Sequence, residues 1–128
     1  MTTAAQLKPL PARRVLVIED DFDIRDALSA VLTGEGYEVS ACANGREAVE
    51  WLERTGDVPN AIVLDLMMPV MNGWQFLAHC RREGPLASVP VIVLSAHAGF
   101  EDVKVAADAC LRKPIRLDDL LDALRRLT

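Results

Sequence analysis

Four short runs of apolar residues, each followed closely by polar side chains, form the strongest pattern in this chain. The runs cover residues 15–18, 61–64, 91–94 and 109–111. Such uniformly apolar runs are typical of parallel strands that are buried on both faces of a sheet. The polar residues that follow them are Glu19, Asp20, Asp21, Asp65, Ser95 and Lys113. Because ligands bind at the carboxyl edge of a parallel sheet, these side chains predict one shared site.

Amphipathic patterns between these runs predict helices. Apolar residues recur at the spacing of one helix face at positions 24, 27, 28, 31 and 32, after Asp21 or Asp23 as the cap. Similar patterns predict helices from Asn44 to Arg54, over 73–80 and over 117–127, and residues 38–42 predict a fifth strand. Five strands that alternate with helices predict an α/β fold, with a five-stranded parallel sheet and helices on both faces.

Composition narrows the function classes. The 128 residues fit one domain, and we expect residues 1–13 to be a tail and residues 14–128 to be the domain. A net charge of −5 argues against direct nucleic-acid binding. No apolar stretch reaches the roughly 20 residues that cross a bilayer, so we expect no membrane contact. The three cysteines lack metal-site spacing, which favours a reduced, cytoplasmic protein.

The polar residues at the strand ends suit phosphoryl transfer. Adjacent carboxylates joined by a third from another strand form an all-oxygen environment that suits Mg²⁺. A carboxylate beside the metal is then able to attack phosphorus, while Ser95 and Lys113 supply the hydroxyl and the ammonium that stabilise the developing charge. A cis bond between Lys113 and Pro114 would aim the ammonium inward. Each residue alone also fits a cap or a turn, but their order at successive strand ends favours a site.

Several motifs resemble the receiver domain of bacterial response regulators over about residues 14–127: VLVIEDDFDIR, IVLDLMMPVMNGWQFL, PVIVLSA and LRKP. The resemblance implies a flavodoxin-like (βα)5 fold that works in a two-component phosphorelay. It implies that Asp65 takes a phosphoryl group, with Mg²⁺, from the phosphohistidine of a sensor histidine kinase or a histidine phosphotransfer protein. Such a domain catalyses its own phosphorylation and dephosphorylation and switches a downstream target protein, and is not an enzyme for another substrate.

The resemblance also implies the ligands of the metal. Asp20 lies five residues before Arg25, which makes Glu19 and Asp20 the acidic pair. Asp20 is then the direct metal ligand and Glu19 acts through water, while Asp21 stays open as the alternative to Asp20. Asp65 and the main-chain carbonyl of Met67 complete the protein ligands.

A second group of residues is expected to control how long the phosphoryl group persists. Met67 and His97 flank the expected path of the hydrolytic water. His97 either orients that water or covers the site, and covering is the favoured interpretation.

Three departures from the family pattern concern the output of the domain. Cys110 stands where the family usually has Tyr or Phe, so no ring is present to rotate on phosphorylation. The interval from Ser95 to Lys113 is shorter than usual by about one helical turn, and Ala106 replaces a common Gly. We therefore expect the helix between the fourth and fifth strands to be short or irregular and the output surface to be atypical. The alternative is a receiver-like interaction module that works without phosphorylation, and the sequence leaves open whether the chain forms a homodimer.

Overall fold

A computed structural model describes residues 13–67, 70–82, 84–95 and 107–128. Its strands are β1 (Arg14–Ile18), β2 (Glu38–Cys42), β3 (Ala61–Asp65), β4 (Val91–Ser95) and β5 (Ala109–Arg112). Its helices in these ranges are α1 (Phe22–Gly34), α2 (Gly45–Thr55), α3 (Gly73–Cys80) and the C-terminal α4 (Leu117–Leu127), with a 3-10 turn at Pro85–Ser88. The predicted alternation of strands and helices is confirmed.

The five strands form one parallel sheet in the order β2-β1-β3-β4-β5. Successive side chains of a strand point to opposite faces, and both faces are covered. Leu16 and Ile18 of β1 belong to one buried cluster, which includes side chains of α2 and α3. Val15 and Val17 belong to a second cluster with side chains of α1 and α4. Burial on both sides explains the uninterrupted apolar runs within β1, β3 and β4.

Side-chain caps fix where three of the helices begin. Asp21 accepts a hydrogen bond from the main-chain N–H of Ile24 at 3.1 Å at the start of α1. Asn44 caps α2, as predicted, and Asn72 caps α3 in a reciprocal arrangement with Gln75. Because α1 and α3 are the helices that follow β1 and β3, these caps also help to set the course of the chain after the two strands.

No helix in the described ranges combines the length and the apolar character that a membrane crossing requires.

Two predictions fall on segments outside the described residues. The predicted N-terminal tail covers residues 1–13, of which the structure describes Arg13 alone. The segment 96–106, which holds His97 and Ala106, is also outside, and with it the expected short or irregular helix between β4 and β5. The tail, the short or irregular helix and the atypical output surface therefore stay predictions.

Candidate functional site

The carboxyl ends of three strands bring three ionisable side chains together. Glu19 directly follows β1, Asp65 ends β3, and Lys113 follows β5. The Lys113 Nζ donates to Glu19 Oε1 at 3.1 Å and to Asp65 Oδ1 at 3.3 Å. Glu19 and Asp65 are almost fully buried, with 0% and 2% of their surface exposed. One ammonium thus links two buried carboxylates that come from different strands.

Ser95 lies at the end of β4, between β3 and β5 in the sheet. Its residue is fully buried, and its main-chain oxygen accepts a hydrogen bond of 2.9 Å from the N–H of Lys113. The peptide bond between Lys113 and Pro114 is cis. The sheet order therefore places the predicted hydroxyl and the predicted ammonium on neighbouring strand ends.

Three carboxylates at this edge are close enough to share a cation. Glu19, Asp20 and Asp65 each offer one oxygen, and these oxygens all lie within 4.8 Å of one another. Asp20 is exposed, whereas the other two are buried, so the group opens to solvent on the Asp20 side. An all-oxygen set with one solvent-facing carboxylate fits Mg²⁺, which prefers carboxylates and retains several waters. The donor chemistry of the residues therefore matches the predicted ion.

Asp21 and Met67 occupy positions next to this group. The Asp21 carboxylate accepts the first hydrogen bond of α1 and therefore serves as its cap. The main-chain N–H of Met67 donates to Asp65 Oδ1 at 3.3 Å, and the Met67 side chain is exposed. Among the described residues, the cap role of Asp21 favours Asp20 as the acid nearest to a cation.

Burial and neighbouring charges change the protonation of two of these groups. Burial, together with the adjacent Asp65 carboxylate, raises the pKa of Glu19 from 4.5 to about 8, although Lys113 opposes this shift. Burial lowers the pKa of Lys113, but its hydrogen bonds and the negative charges of Asp65 and Glu19 outweigh that effect and raise it. Lys113 is therefore a cation at neutral pH, and a bound divalent cation would displace a proton from Glu19.

The pKa of Glu19 predicts how stability depends on pH without divalent cations. Since the folded protein binds the Glu19 proton more tightly than the unfolded chain, this contribution is fully present below pH 4.5. It is lost as the pH rises towards 8. Urea unfolding with EDTA should therefore show a free energy of unfolding that falls over this range, with a smaller fall in Glu19→Gln. Equal slopes for the two proteins would contradict the assignment, and added Mg²⁺ should stabilise the wild type more at pH 8 than at pH 5.

Gly73 at the start of α3 allows the helix to approach the end of β3. A Cβ atom at this position would lie 2.6 Å from the main-chain oxygen of Asp65 and 2.6 Å from the Cα of Leu66. The Gly73 N–H also donates to the Leu66 oxygen at 3.0 Å. Only a residue without a side chain fits there, so the Asn72-Gly73 motif positions the chain that follows Asp65.

Cys110, the position that departs from the family pattern, lies on β5 and is partly buried. It packs against the cluster that contains Leu16 and Ile18. Its side chain is thus part of the packing at the edge of the sheet.

Exposed apolar side chains follow the strands that carry the site residues. Of the six large apolar side chains that the described residues expose, five come in the chain a few residues after β1, β3 or β5: Phe22, Ile24, Met67, Val70 and Leu117. A groove of about 560 Å³ runs between α1 and the connection from β5 to α4, with Lys113 among its lining residues. Ile24, Leu28, Val31 and Ile115 make its walls largely apolar.

Comparisons with known proteins give matches over most of this chain. Residues 15–125 match the model of the response regulator receiver domain. The transcriptional regulatory protein for alkaline phosphatase synthesis, SphR, of Synechococcus elongatus is 38% identical over 91% of this chain and 49% of its own length. The chain thus spans about half the length of the curated relatives that it matches.

Solved structures show the same fold. The chemotaxis response regulator CheY4 of Vibrio cholerae superposes with a TM-score of 0.81 at 30% identity, over 91% of this chain and 99% of that chain. The receiver domain of a sensor histidine kinase of Pseudomonas aeruginosa superposes with a TM-score of 0.82 at 28% identity, over 91% and 97% of the two chains. That structure has a magnesium ion coordinated in its active-site cleft.

Proposed function

This chain belongs to the family of response regulator receiver domains, and from that membership we propose that Asp65 accepts a phosphoryl group in a Mg²⁺-dependent reaction. The observation that carries the proposal is the buried pair of Glu19 and Asp65, which shares the Lys113 ammonium and lies with Asp20 in one carboxylate group. We take residues 14–128 as the functional unit. Its role is that of a signalling domain that catalyses its own phosphorylation and dephosphorylation.

The proposed reaction transfers the phosphoryl group from a phosphohistidine to Asp65. A carboxylate oxygen of Asp65 attacks phosphorus, the P–N bond breaks, and the imidazole leaves with a proton from solvent. The Lys113 ammonium, which already contacts Asp65 Oδ1, is placed to pair with a phosphoryl oxygen of the product. We assign the Ser95 hydroxyl to a second phosphoryl oxygen. Water later hydrolyses the acyl phosphate, and we propose that Met67 and His97 influence the rate of this step.

The cation, when bound, neutralises charge that develops on the phosphoryl oxygens. We assign its direct protein ligands to Asp20, Asp65 and the main-chain oxygen of Met67, with Glu19 acting through water. The short distances between the carboxylate oxygens support the acidic part of this set. Asp21 remains the alternative to Asp20, although it caps α1.

The partners follow from the family and from the surface around the site. Receiver domains accept phosphoryl groups from histidine kinases, and we propose a sensor histidine kinase or a histidine phosphotransfer protein as the donor. The exposed Phe22, Met67, Val70 and Leu117 offer it an apolar contact surface beside Asp65. We propose that a target protein reads the phosphorylated state, and that this domain does not bind DNA directly, since its net charge is −5.

The proposal is tested by intact mass after incubation with acetyl phosphate and Mg²⁺. We expect the gain of one phosphoryl group in the wild type, no gain with EDTA, and no gain in Asp65→Asn. Asp57→Asn is the matched control, because Asp57 pairs with Arg14 at the start of β1, at the opposite end of that strand from Glu19. A phosphorylated Asp65→Asn protein would contradict the assignment. A wild type that gains no mass would favour the interaction module that works without phosphorylation.

A further inference from the structure

Arg25 on α1 binds the main chain of the acidic pair. Its Nη1 donates to the Glu19 oxygen at 2.8 Å and to the Asp20 oxygen at 3.4 Å. The guanidinium also lies 5.5 Å from the centroid of the Phe22 ring, which is a cation–π distance. Arg25 is thus held on one side by an aromatic ring and binds two consecutive carbonyl groups with one nitrogen.

These bonds complete the hydrogen bonding of a two-residue segment. The Glu19 N–H donates to the Cys42 oxygen at the end of β2, at 3.0 Å. The Asp20 N–H donates to Glu19 Oε2 at 3.1 Å. Arg25 supplies the partner for both carbonyl groups, so all four main-chain polar groups of the acidic pair are bound. These hydrogen bonds fix the peptide planes of Glu19 and Asp20, and the fixed backbone sets the directions in which their two side chains leave the chain.

We propose that Arg25 is a positioning residue for the cation site, which holds the backbone of Glu19 and Asp20 so that both carboxylates face Asp65. This inference rests on the proposed Mg²⁺-dependent function. Mutation of a residue that orients metal ligands through hydrogen bonds typically lowers the metal affinity by roughly 10- to 100-fold. In this case the contact runs through the main chain, since both acceptors are carbonyl oxygens.

The positive charge of Arg25 makes the proposal testable, because the charge and the positioning role affect Mg²⁺ affinity in opposite directions. A guanidinium near the site repels a divalent cation. If Arg25 acted only through its charge, replacing it with a neutral residue would therefore tighten Mg²⁺ binding. Its removal as a positioning residue would weaken binding. The sign of the change in affinity therefore separates the two roles.

Arg81 provides a matched control at the opposite edge of the sheet. Its Nη1 also donates to two main-chain oxygens, those of Ala87 at 3.3 Å and Val89 at 3.0 Å. Its Nη2 pairs with Asp108 at 2.9 Å. Arg81→Ala removes the same kind of contact near the amino end of β4, so it lowers stability without touching the acidic pair.

The experiment is a calorimetric titration of MgCl₂ into the wild type, Arg25→Ala, Arg25→Gln, Arg25→Lys and Arg81→Ala, with urea unfolding of each protein. We expect Arg25→Ala to weaken Mg²⁺ binding by about tenfold or more. Gln and Lys each retain a donor and should restore part of the affinity, while Arg81→Ala should lose stability and keep the wild-type affinity. If Arg25→Ala does not fold, Arg25→Gln must still bind Mg²⁺ more weakly than the wild type.

Unchanged or tighter binding in both Arg25→Ala and Arg25→Gln would overturn the positioning role. An equal loss of affinity in Arg81→Ala would also overturn it, because the effect would then follow from general destabilisation. A wild type that binds no Mg²⁺ would overturn the proposed cation site itself, a result that the wild-type titration reports on its own.

Discussion

Lys113→Ala is expected to slow the phosphorylation of Asp65 by acetyl phosphate by about 10²–10³-fold, the usual effect of removing one preorganised donor from a transition state. The Lys113 ammonium already lies 3.3 Å from Asp65 Oδ1, and its side chain is 23% exposed. Because its surroundings raise its pKa, it carries its charge throughout the neutral range. The rate is measured from the increase in phosphorylated protein by intact mass at saturating Mg²⁺.

The same variant should retain its affinity for Mg²⁺ or bind it more tightly. Removal of the ammonium leaves Glu19 and Asp65 without the cation that they share, so a divalent ion meets more negative charge. Lys113→Arg is the matched control that keeps the charge but alters the geometry, and it should fall between the other two proteins in rate. A rate of Lys113→Ala close to that of the wild type would contradict the role assigned to the ammonium.

Phe76→Ala should have the largest effect on stability, a loss of about 3–5 kcal/mol in the free energy of unfolding. Phe76 lies on α3, is fully buried, and belongs to the cluster that covers one face of the sheet. Truncation removes its apolar contacts and leaves a cavity that the neighbouring side chains fill only in part. Since domains of this size are stable by about 5–15 kcal/mol, the loss is a large share of the total. Urea unfolding followed by circular dichroism measures it.

Phe22→Ala is the control for this prediction, since it makes the same substitution at a side chain that is 67% exposed. Its contact with Arg25 is worth about 0.5–1 kcal/mol at an exposed site, so the expected loss stays near that value. Similar losses in the two variants would mean that α3 does not pack on the sheet as described.

The sheet could be predicted from the sequence because the central strands are buried on both faces and therefore have continuous apolar sequences. The apolar runs at 15–18 and 61–64 end within a residue of the bounds of β1 and β3. Asn44 was predicted as the cap of α2, and Asp21 was one of two candidates for the cap of α1, since a short polar side chain before an apolar helical pattern satisfies free N–H groups. The proximity of Glu19, Asp65 and Lys113 follows from the same sheet, because parallel strands end at one edge.

Other features depend on contacts that spacing alone does not reveal. In the sequence, the position of Arg25 only helped to identify Asp20 as part of the acidic pair. Its hydrogen bonds to two carbonyl groups depend on the orientation of α1 relative to the end of β1. Whether Asp20 or Asp21 faces a cation was open, because neighbouring acids are equivalent until a helix uses one of them as its cap. The raised pKa of Glu19 arises from burial and from Asp65, which lies 46 positions further along the chain.

The central claim is that Asp65 is the residue that receives the phosphoryl group, and borohydride trapping tests it most directly. Borohydride reduces an acyl phosphate to the alcohol, so a phosphorylated aspartate becomes homoserine, which peptide mass spectrometry places in the sequence. After incubation with acetyl phosphate and Mg²⁺, we predict homoserine at position 65 and no reduction product in a sample treated with EDTA. Reduction at Glu19 or Asp20, or a phosphorylated protein without homoserine at position 65, would contradict the account.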